Sequence, residues 1–443
     1  MYIPPPSNSK IIIVGAGCFG LSTAYALSLD KEKNYDIWVY DKATVPVPEA
    51  ASTDISKAVR IDYGAKELYT RLGLEAITAW EEWNKEREQA KLVPVYHNSG
   101  FILFSSNNQF TQYEKDCMET IKRIGYGSFL EELHADQIKE RYPFFSMTVD
   151  NGYNIAYINK IGGWCNSSEA IKHLYAKCVN NNVHFVLGQT TGCFQQLVTN
   201  PNNPRSVTGI VTQDGKTHHA DRVIMATGPW TSSLIDMHQL VIATGQIVVH
   251  LKLTEEEQEH LKHLPTWSGD VSRTGFYGFP VNSDGILKIG KHSIGYLNPR
   301  SDQDSTSVPR TQSSNPGDTI PLAALKDFRQ FLNEFFPFST EHDIVYSRVC
   351  WYSDSIDGDF VISAHPDYDD LIVAAGDSGH AMKFLPVIGS KIRDVVEAKE
   401  TEYTLAWSWR NTKAQEGFYD RPLLVKENSK EIRMATLNEL KKQ

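Results

Sequence analysis

The chain lacks the features that announce a metal site, a disulfide scaffold or a surface for polyanions. Its six cysteines, Cys18, Cys117, Cys165, Cys178, Cys193 and Cys350, are scattered over 443 residues, with no CxxC pair and no histidine at ligand spacing. Neither a disulfide framework nor a bound metal is expected, and a reducing compartment fits these thiols. Positive charge is in deficit, with 44 Lys plus Arg against 54 Asp plus Glu and a net charge of −10. That balance argues against a protein that grips nucleic acid. Only residues 11–29, IIIVGAGCFGLSTAYALSL, form a long uncharged run. Gly15, Gly17 and Gly20 within it have a better explanation than a signal peptide or a membrane span, so no membrane association is expected. Internal repeats are also missing. What remains is 41% hydrophobic and 11% aromatic residues, enough for a large core, at a length that suggests two domains.

The uncharged run reads as a nucleotide-binding unit. IIIV suits a buried parallel strand, and GAGCFG follows at once. In this G-x-G-x-x-G pattern Gly15 permits a tight turn, Gly17 lets backbone approach a pyrophosphate and Gly20 lets the next helix pack on the strand. Ala16, Cys18 and Phe19 complete the turn, and the helix that begins there points free N–H groups and its positive dipole end at phosphate. A second strand, YDIWVYD, ends at Asp41, about 20 residues past Gly20, where an acid accepts hydrogen bonds from a ribose hydroxyl. Strand, glycine turn, helix, strand and acid in order predict dinucleotide binding. They leave FAD and NAD both open.

Further along, AASTDISKAVRIDYG (50–64) is too polar for a core strand, and LYTRLGLEAITAWEEWNKERE has helical spacing. Residues 96–105 read as a strand, 109–123 as a helix and 162–181 as a capped helix. The Asp214-Gly215 pair marks a hairpin turn. DRVIMATGPW puts a buried strand before Gly228, where an open sheet exposes its strand ends to ligand. From Leu240 to Val345 separated strand-like pieces suggest a second, sheet-based domain, with a polar, apparently mobile or insert-like loop over 298–321. LIVAAG, DSGHAMKFLP and a helix from Val387 to Val396 then return to the first pattern. The expectation is an α/β fold with an α+β two-domain organisation. A discontinuous Rossmann-like nucleotide domain (1–93, 155–238 and 346–443) is interleaved with a β-sheet-based substrate domain (94–154 and 239–345).

Taken together, GAGCFG, ATGPW at 226–230, RVCWYSDS at 348–355 and AAGDSGHAMKFLPVIG at 374–389 resemble the monomeric sarcosine oxidase family of FAD-dependent amine oxidases. Within it, the CW pair, the DSGHxxKxLPxIG run and WSWR (407–410) look most like fungal fructosyl-amino-acid oxidases (amadoriases). Saccharopine and pipecolate oxidases share nearly as much. The resemblance implies FAD, attached covalently through its 8α-methyl group to Cys350, a residue that by itself reads as a small buried hydrophobe. It also implies cofactor contacts from Gly15, Ala16, Gly17, Cys18, Phe19, Gly20, Asp41, Lys42, Ser52, Gly228, Asp377, Ser378, Gly379, His380, Met382 and Lys383.

Lys288 matches the family lysine that stands over the flavin and activates oxygen, since a fixed positive charge stabilises superoxide. Lys291 is one residue out of phase with it. His292 shares the parity of Lys288 and falls where sarcosine-type enzymes place a histidine near substrate; amadoriases often carry an acid there. Lys57, Arg60 and Lys383 are the expected carboxylate-binding cations, Arg60 as a bidentate fork and Lys383 as a point charge. The KxxR pattern of SKAVRIDY resembles the sarcosine and saccharopine branch, as amadoriases typically keep the lysine and lack the arginine. Tyr352 is expected to line the site. The Asn-Ser-Ser run at 166–168 carries no weight as a glycosylation signal.

The implied function is oxidation by FAD and O2 of the C–N bond in an N-substituted amino acid, to an imine that hydrolyses, with H2O2 released. A fructosyl amino acid is the first expected substrate, with saccharopine, pipecolate or sarcosine as alternatives. An NAD-linked dehydrogenase and a non-catalytic flavin-binding module remain alternatives of other classes. The resemblance implies a monomer, and the cytosol is the expected location, with the peroxisome as the alternative although the chain ends in KKQ and not in an S-K-L type tripeptide.

Overall fold

A computed structural model describes residues 2–301, 303–412 and 414–441, so residue 302 of the polar loop and the last two residues of the KKQ ending lie outside it. The β-branched run forms the strand Lys10–Val14, in which Ile11, Ile12 and Ile13 are fully buried. Apolar side chains on both faces require cover on both, so the strand lies inside a parallel sheet. Its neighbours are Asp36–Asp41 and Arg222–Met225, flanked in turn by His184–Leu187 and Leu371–Ala375. Val361–Ala364 closes one edge antiparallel. The helix Cys18–Ser28 is buried on nearly every side. It packs against Ile388–Val396, which the chain supplies some 370 residues later.

A second, eight-stranded sheet runs in the order Ile344–Ser355, Val241–Lys252, Ile286–Tyr296, Phe276–Gly278, Thr266–Gly269, Phe101–Ser105, Ile155–Asn159 and Leu130–His134. Phe328, Phe331 and Phe335 of the helix Leu322–Phe335 cover one face, with Phe331 stacked 4.0 Å from Phe276 and Phe335 4.9 Å from Trp267. Antiparallel register puts Lys288 opposite His250, Arg348 opposite Val248 and Cys350 opposite Gln246.

Several expectations need correction. The segment 50–64 does contribute a strand: Lys57–Val59 pairs antiparallel with Gly163–Cys165, which also pairs with Tyr96–His97. Three residues of backbone pairing suffice, and its lysine is kept for the site. The strand expected over 96–105 is two pieces in two different sheets, broken before Phe101. The expected domain boundaries at 155 and 346 assigned Ile155–Asn159 and Ile344–Ser355 to the nucleotide half, yet both are strands of the eight-stranded sheet. Ala435 and Leu440, near the end of the chain, are buried in the core of that same sheet. A buried strand's local pattern does not say which sheet it joins. The loop 298–321 is neither loose nor a mere insert. Arg310 pairs with Asp318 at 2.6 Å, Gln312 donates to Ser347 O at 2.9 Å, Trp351 Nε1 donates to Arg310 O at 2.8 Å, and Thr311 bonds Glu49.

The two-helix contact depends on a missing side chain. A Cβ on Gly389 would lie 1.8 Å from Ser22 O, and Ser22 Oγ bridges Leu385 O (2.7 Å) and Gly389 N (2.8 Å). Gly389→Ala is expected to lower the unfolding free energy by about 1–3 kcal/mol through overpacking, measured by urea denaturation.

Candidate active site

The glycine turn sits at the carboxyl end of the central strand. Gly15 has φ +107°, and a Cβ there would lie 2.3 Å from Ala226 O; one on Gly20 would lie 1.8 Å from Gly15 O. These two glycines let strand and helix close up. Gly17 and Gly228 serve differently, because a Cβ on Gly17 would meet only Ser52 Oγ at 3.6 Å, and one on Gly228 would meet nothing within 4 Å. Both line a cleft of about 1170 Å³ together with Cys18, Phe19, Asp41, Lys42, Ser52 and Trp230. The first-turn amides of the helix have no partners four residues back and lie at this cleft. Asp41 accepts hydrogen bonds from Ala16 N (2.8 Å) and Ala43 N (2.9 Å), and Lys42 lies 4.1 Å over the Trp230 ring. A glycine cradle, free amides and an acid at the second strand fit the dinucleotide end of FAD. The far end of the cleft is lined by Lys57, Tyr352, Asp377, Gly379 and Met382.

Behind that end is a buried ionic cluster. Asp54 Oδ2 lies 2.8 Å from Lys288 Nζ, 2.9 Å from Arg348 Nη2 and 3.6 Å from Lys57 Nζ. Although burial opposes it, the three cations hold the Asp54 carboxyl well below the ordinary carboxylate range. Burial draws Lys288 down to about 7, with Asp54 opposing the fall and Lys57 and Arg348 adding to it. Lys288 Nζ also donates to Ser56 O at 2.5 Å. Cys350 Sγ lies 3.7 Å from Arg348 Nη2 and 3.8 Å from Lys57 Nζ. The backbone carrying Asp54 is pinned by Ser167 and Ser168, whose hydroxyls both donate to Asp54 O at 2.9 Å. The Asn-Ser-Ser run thus caps a helix, through Asn166 and Glu169 N, and anchors the cluster.

Arg60 and Lys383 are treated in the opposite way. Neither has a carboxylate within 4 Å among the described residues, although Lys383 is only 5% exposed. Lys383 Nζ donates to His380 O at 2.8 Å and Arg60 Nη1 to Tyr113 Oη at 3.1 Å. Asp62, two residues from Arg60, spends its own carboxylate on Tyr157 Oη (2.8 Å) and Asn159 Nδ2 (3.2 Å). Burial and Arg60 together draw the Lys383 pKa well down. A guanidinium hydrogen-bonded to a phenol and a buried lysine whose ammonium form has no carboxylate within 4 Å would both be stabilised by an incoming anion. Beside them is a second cavity, lined by Tyr63, Tyr113, His292, Asp354, His380 and Arg421. The His292 ring opens onto it, 6.1 Å from that of Tyr352.

The structure therefore gathers Lys57, Lys288, Cys350 and Tyr352 at one end of the cleft and Arg60, Lys383 and His292 around the neighbouring cavity. Ser378 and His380 line that cavity and not the nucleotide cleft, while Ala16 and Gly20 act from behind the cleft wall. Lys291 points away, paired with Asp327 at 2.5 Å. Asp54, Arg348, Tyr63 and Tyr113 were not anticipated. Arg348 had a readable signal, since it shares strand parity with Cys350 and Tyr352. Asp54 had only its place three residues before Lys57.

A Rossmann-type cleft at the carboxyl end of a parallel sheet, with a second cavity beside an antiparallel sheet, is the architecture of a two-domain flavoprotein oxidoreductase. The family profile described as DAO, FAD dependent oxidoreductase, matches residues 10–394. L-saccharopine oxidase of Schizosaccharomyces pombe is 31% identical over 417 residues, covering 91% of this chain and 93% of that protein. Monomeric sarcosine oxidase of a Bacillus species is 25% identical, covering 90% and 95%. A modified fructosyl peptide oxidase from Aspergillus nidulans superposes with a TM-score of 0.83 at 26% identity, over 94% of this chain and 96% of that one. The chain belongs to the DAO family of FAD-dependent oxidoreductases, and the nicotinamide alternative falls.

Asp54→Asn would leave three buried cations facing one another. It is expected to lower the unfolding free energy by about 3–5 kcal/mol, the cost of breaking a buried ion pair from one side, as measured by urea denaturation.

Proposed function

We propose that the enzyme oxidises the secondary amine of an N-substituted α-amino acid, with O2 as electron acceptor. The observation that carries this reading is the pair Arg60 and Lys383, neither with a carboxylate within 4 Å among the described residues, both over the ring of Tyr63, which lines the second cavity. Arg60 offers a planar fork and Lys383 a point charge, and their seclusion from water strengthens both toward a carboxylate. FAD, held by the Gly15–Gly17 turn, Asp41 and Gly228, would supply a hydride acceptor for the carbon next to nitrogen and a donor of the same two electrons to O2, so that the products would be an imine, open to hydrolysis by water, and H2O2. Lys288 holds a fixed ammonium where charge develops on oxygen, and Asp54 keeps that ammonium protonated against the cost of burial. Cys350, 3.8 Å from Lys57 Nζ and 3.7 Å from Arg348 Nη2, is the proposed point of covalent attachment. The six-stranded sheet is the proposed cofactor domain and the eight-stranded sheet the proposed substrate domain.

Within this reading a saccharopine-type substrate is favoured. His292 borders the cavity and Arg60 lies one hydrogen bond behind its wall, on Tyr113; these are the two features by which the sequence departs from the amadoriase pattern, and the saccharopine oxidase relative is alike over nearly its whole length. A fructosyl amino acid is the second reading, supported by the likeness to fructosyl peptide oxidase.

Oxygen uptake with saccharopine, pipecolate, sarcosine, fructosyl valine and fructosyl lysine tests both. Turnover of saccharopine above the fructosyl compounds is expected; silence across the panel would remove the reading. Removing the substrate's carboxylate should reduce kcat/KM by about 100-fold, the loss of a charge-assisted pair. Acid-denatured protein should retain visible flavin absorbance, and Cys350→Ser should release it on precipitation. Lys288→Met should slow flavin reoxidation by about 100-fold while leaving reduction by amine within about threefold. The ammonium is charged below its pKa, so reoxidation in the parent enzyme should fall as pH rises through about 7 and stay flat in the Met variant.

A further inference from the structure

The carboxylate clamp requires two flexible cations to meet at one point, and the wall beneath them is built to keep them there. Arg60 and Lys383 both lie over the ring of Tyr63, the guanidinium carbon 5.0 Å and the ammonium 5.4 Å from its centroid. Tyr63 Oη lies 3.1 Å from His380 Nδ1, and His380 Nε2 lies 3.0 Å from Gly358 O. A carbonyl oxygen only accepts, so the imidazole proton sits on Nε2 and Nδ1 carries the lone pair. Tyr63 must therefore donate to His380. Burial keeps the Tyr63 phenol protonated far above its usual range, and burial together with Lys383 keeps the imidazole neutral. His380 is also stacked on Phe360 (4.6 Å, 19°) and edge-on to Tyr69 (5.0 Å, 86°), contacts that fix its ring plane, and a half-turn within that plane would break both of its hydrogen bonds.

We propose that Tyr63 and His380 are positioning residues for substrate carboxylate binding: His380 orients the Tyr63 ring, and the ring, in contact with both Arg60 and Lys383, restrains the two cations. The phenol's proton points away from the cations, which leaves the electron-rich ring face toward them. Tyr113 supports the other side. Its one proton goes to Asp62 O (2.9 Å), so its lone pair receives Arg60. Neither Tyr63 nor His380 has to touch the reacting atoms. The proposal rests on the carboxylate reading of Arg60 and Lys383.

The test uses the flavin-loaded enzyme with acetate as the probe, its affinity read both from inhibition and from the change in the bound flavin's visible spectrum. Tyr63→Phe keeps the ring and loses the donor; His380→Phe keeps the stack and loses both nitrogens. Each is expected to weaken acetate binding by about tenfold, the loss of one buried hydrogen bond, with flavin content and melting temperature close to the parent's. His380→Asn restores an acceptor near Nδ1 and should recover most of the affinity. Lys383→Met serves as the control on the underlying reading and should weaken acetate by 100-fold or more. Parent-like acetate affinity in Tyr63→Phe and His380→Phe, with the Lys383→Met loss intact, would overturn the positioning role alone. Acetate affinity that survives Lys383→Met would overturn the carboxylate reading. Variants that lose flavin and melt early in proportion to their acetate loss, with no rescue by Asn, would make the pair structural and also overturn the proposal.

Discussion

The site is organised by one buried carboxylate shared among three cations. Asp54 meets Lys288, Arg348 and Lys57, which come from a strand of the eight-stranded sheet, from the strand beside it but one, and from the short three-stranded sheet. Burying an ammonium or guanidinium without a partner is prohibitively costly, so these elements can pack only around this acid. The cluster keeps a surplus of positive charge behind the end of the cleft that Lys57 and Tyr352 line. It also sets the protonation of Lys288, since a lysine that deeply buried would otherwise be neutral near physiological pH.

A few residues away the same chain avoids such pairing. Asp62 could neutralise Arg60, yet its carboxylate is held by Tyr157 and Asn159. Arg60 is left with a tyrosine hydroxyl and an aromatic face, and Lys383 with a backbone carbonyl and the same face. A charge satisfied by neutral dipoles and a ring remains available to an incoming anion. The fold keeps the cations that are paired with an acid apart from those that are not by deciding which acid faces which base.

Much of this was legible beforehand. The glycine turn and the acid at Asp41 were readable because their spacing has a physical cause, whereas Lys57, Arg60, Lys288, Lys383 and Cys350 were picked out only by the resemblance of the short motifs that hold them to the sarcosine oxidase family. Others were not. Asp54 has no local signal beyond an acid near a lysine, a pairing common on any surface. Tyr63 and His380 are far apart along the chain and meet only because the loop after Leu371–Ala375 folds back over the segment after Lys57–Val59. The polar loop 298–321 looked loose by composition, yet backbone carbonyls and acids supplied by distant strands hold it down.

By itself the sequence determined the chemistry on offer: a nucleotide cradle written in consecutive residues, a cysteine and a lysine at motif positions, and a handful of cations in an acidic chain. Those features are local, and local sterics and dipoles are enough to specify them. Which cation is neutralised and which is left free was decided only by the tertiary structure. So were the sheet to which Ile344–Ser355 belongs and the tautomer that His380 carries. Each depends on a partner brought from far along the chain, and the energy of a buried charge or hydrogen bond is set by that partner more than by the residue that bears it.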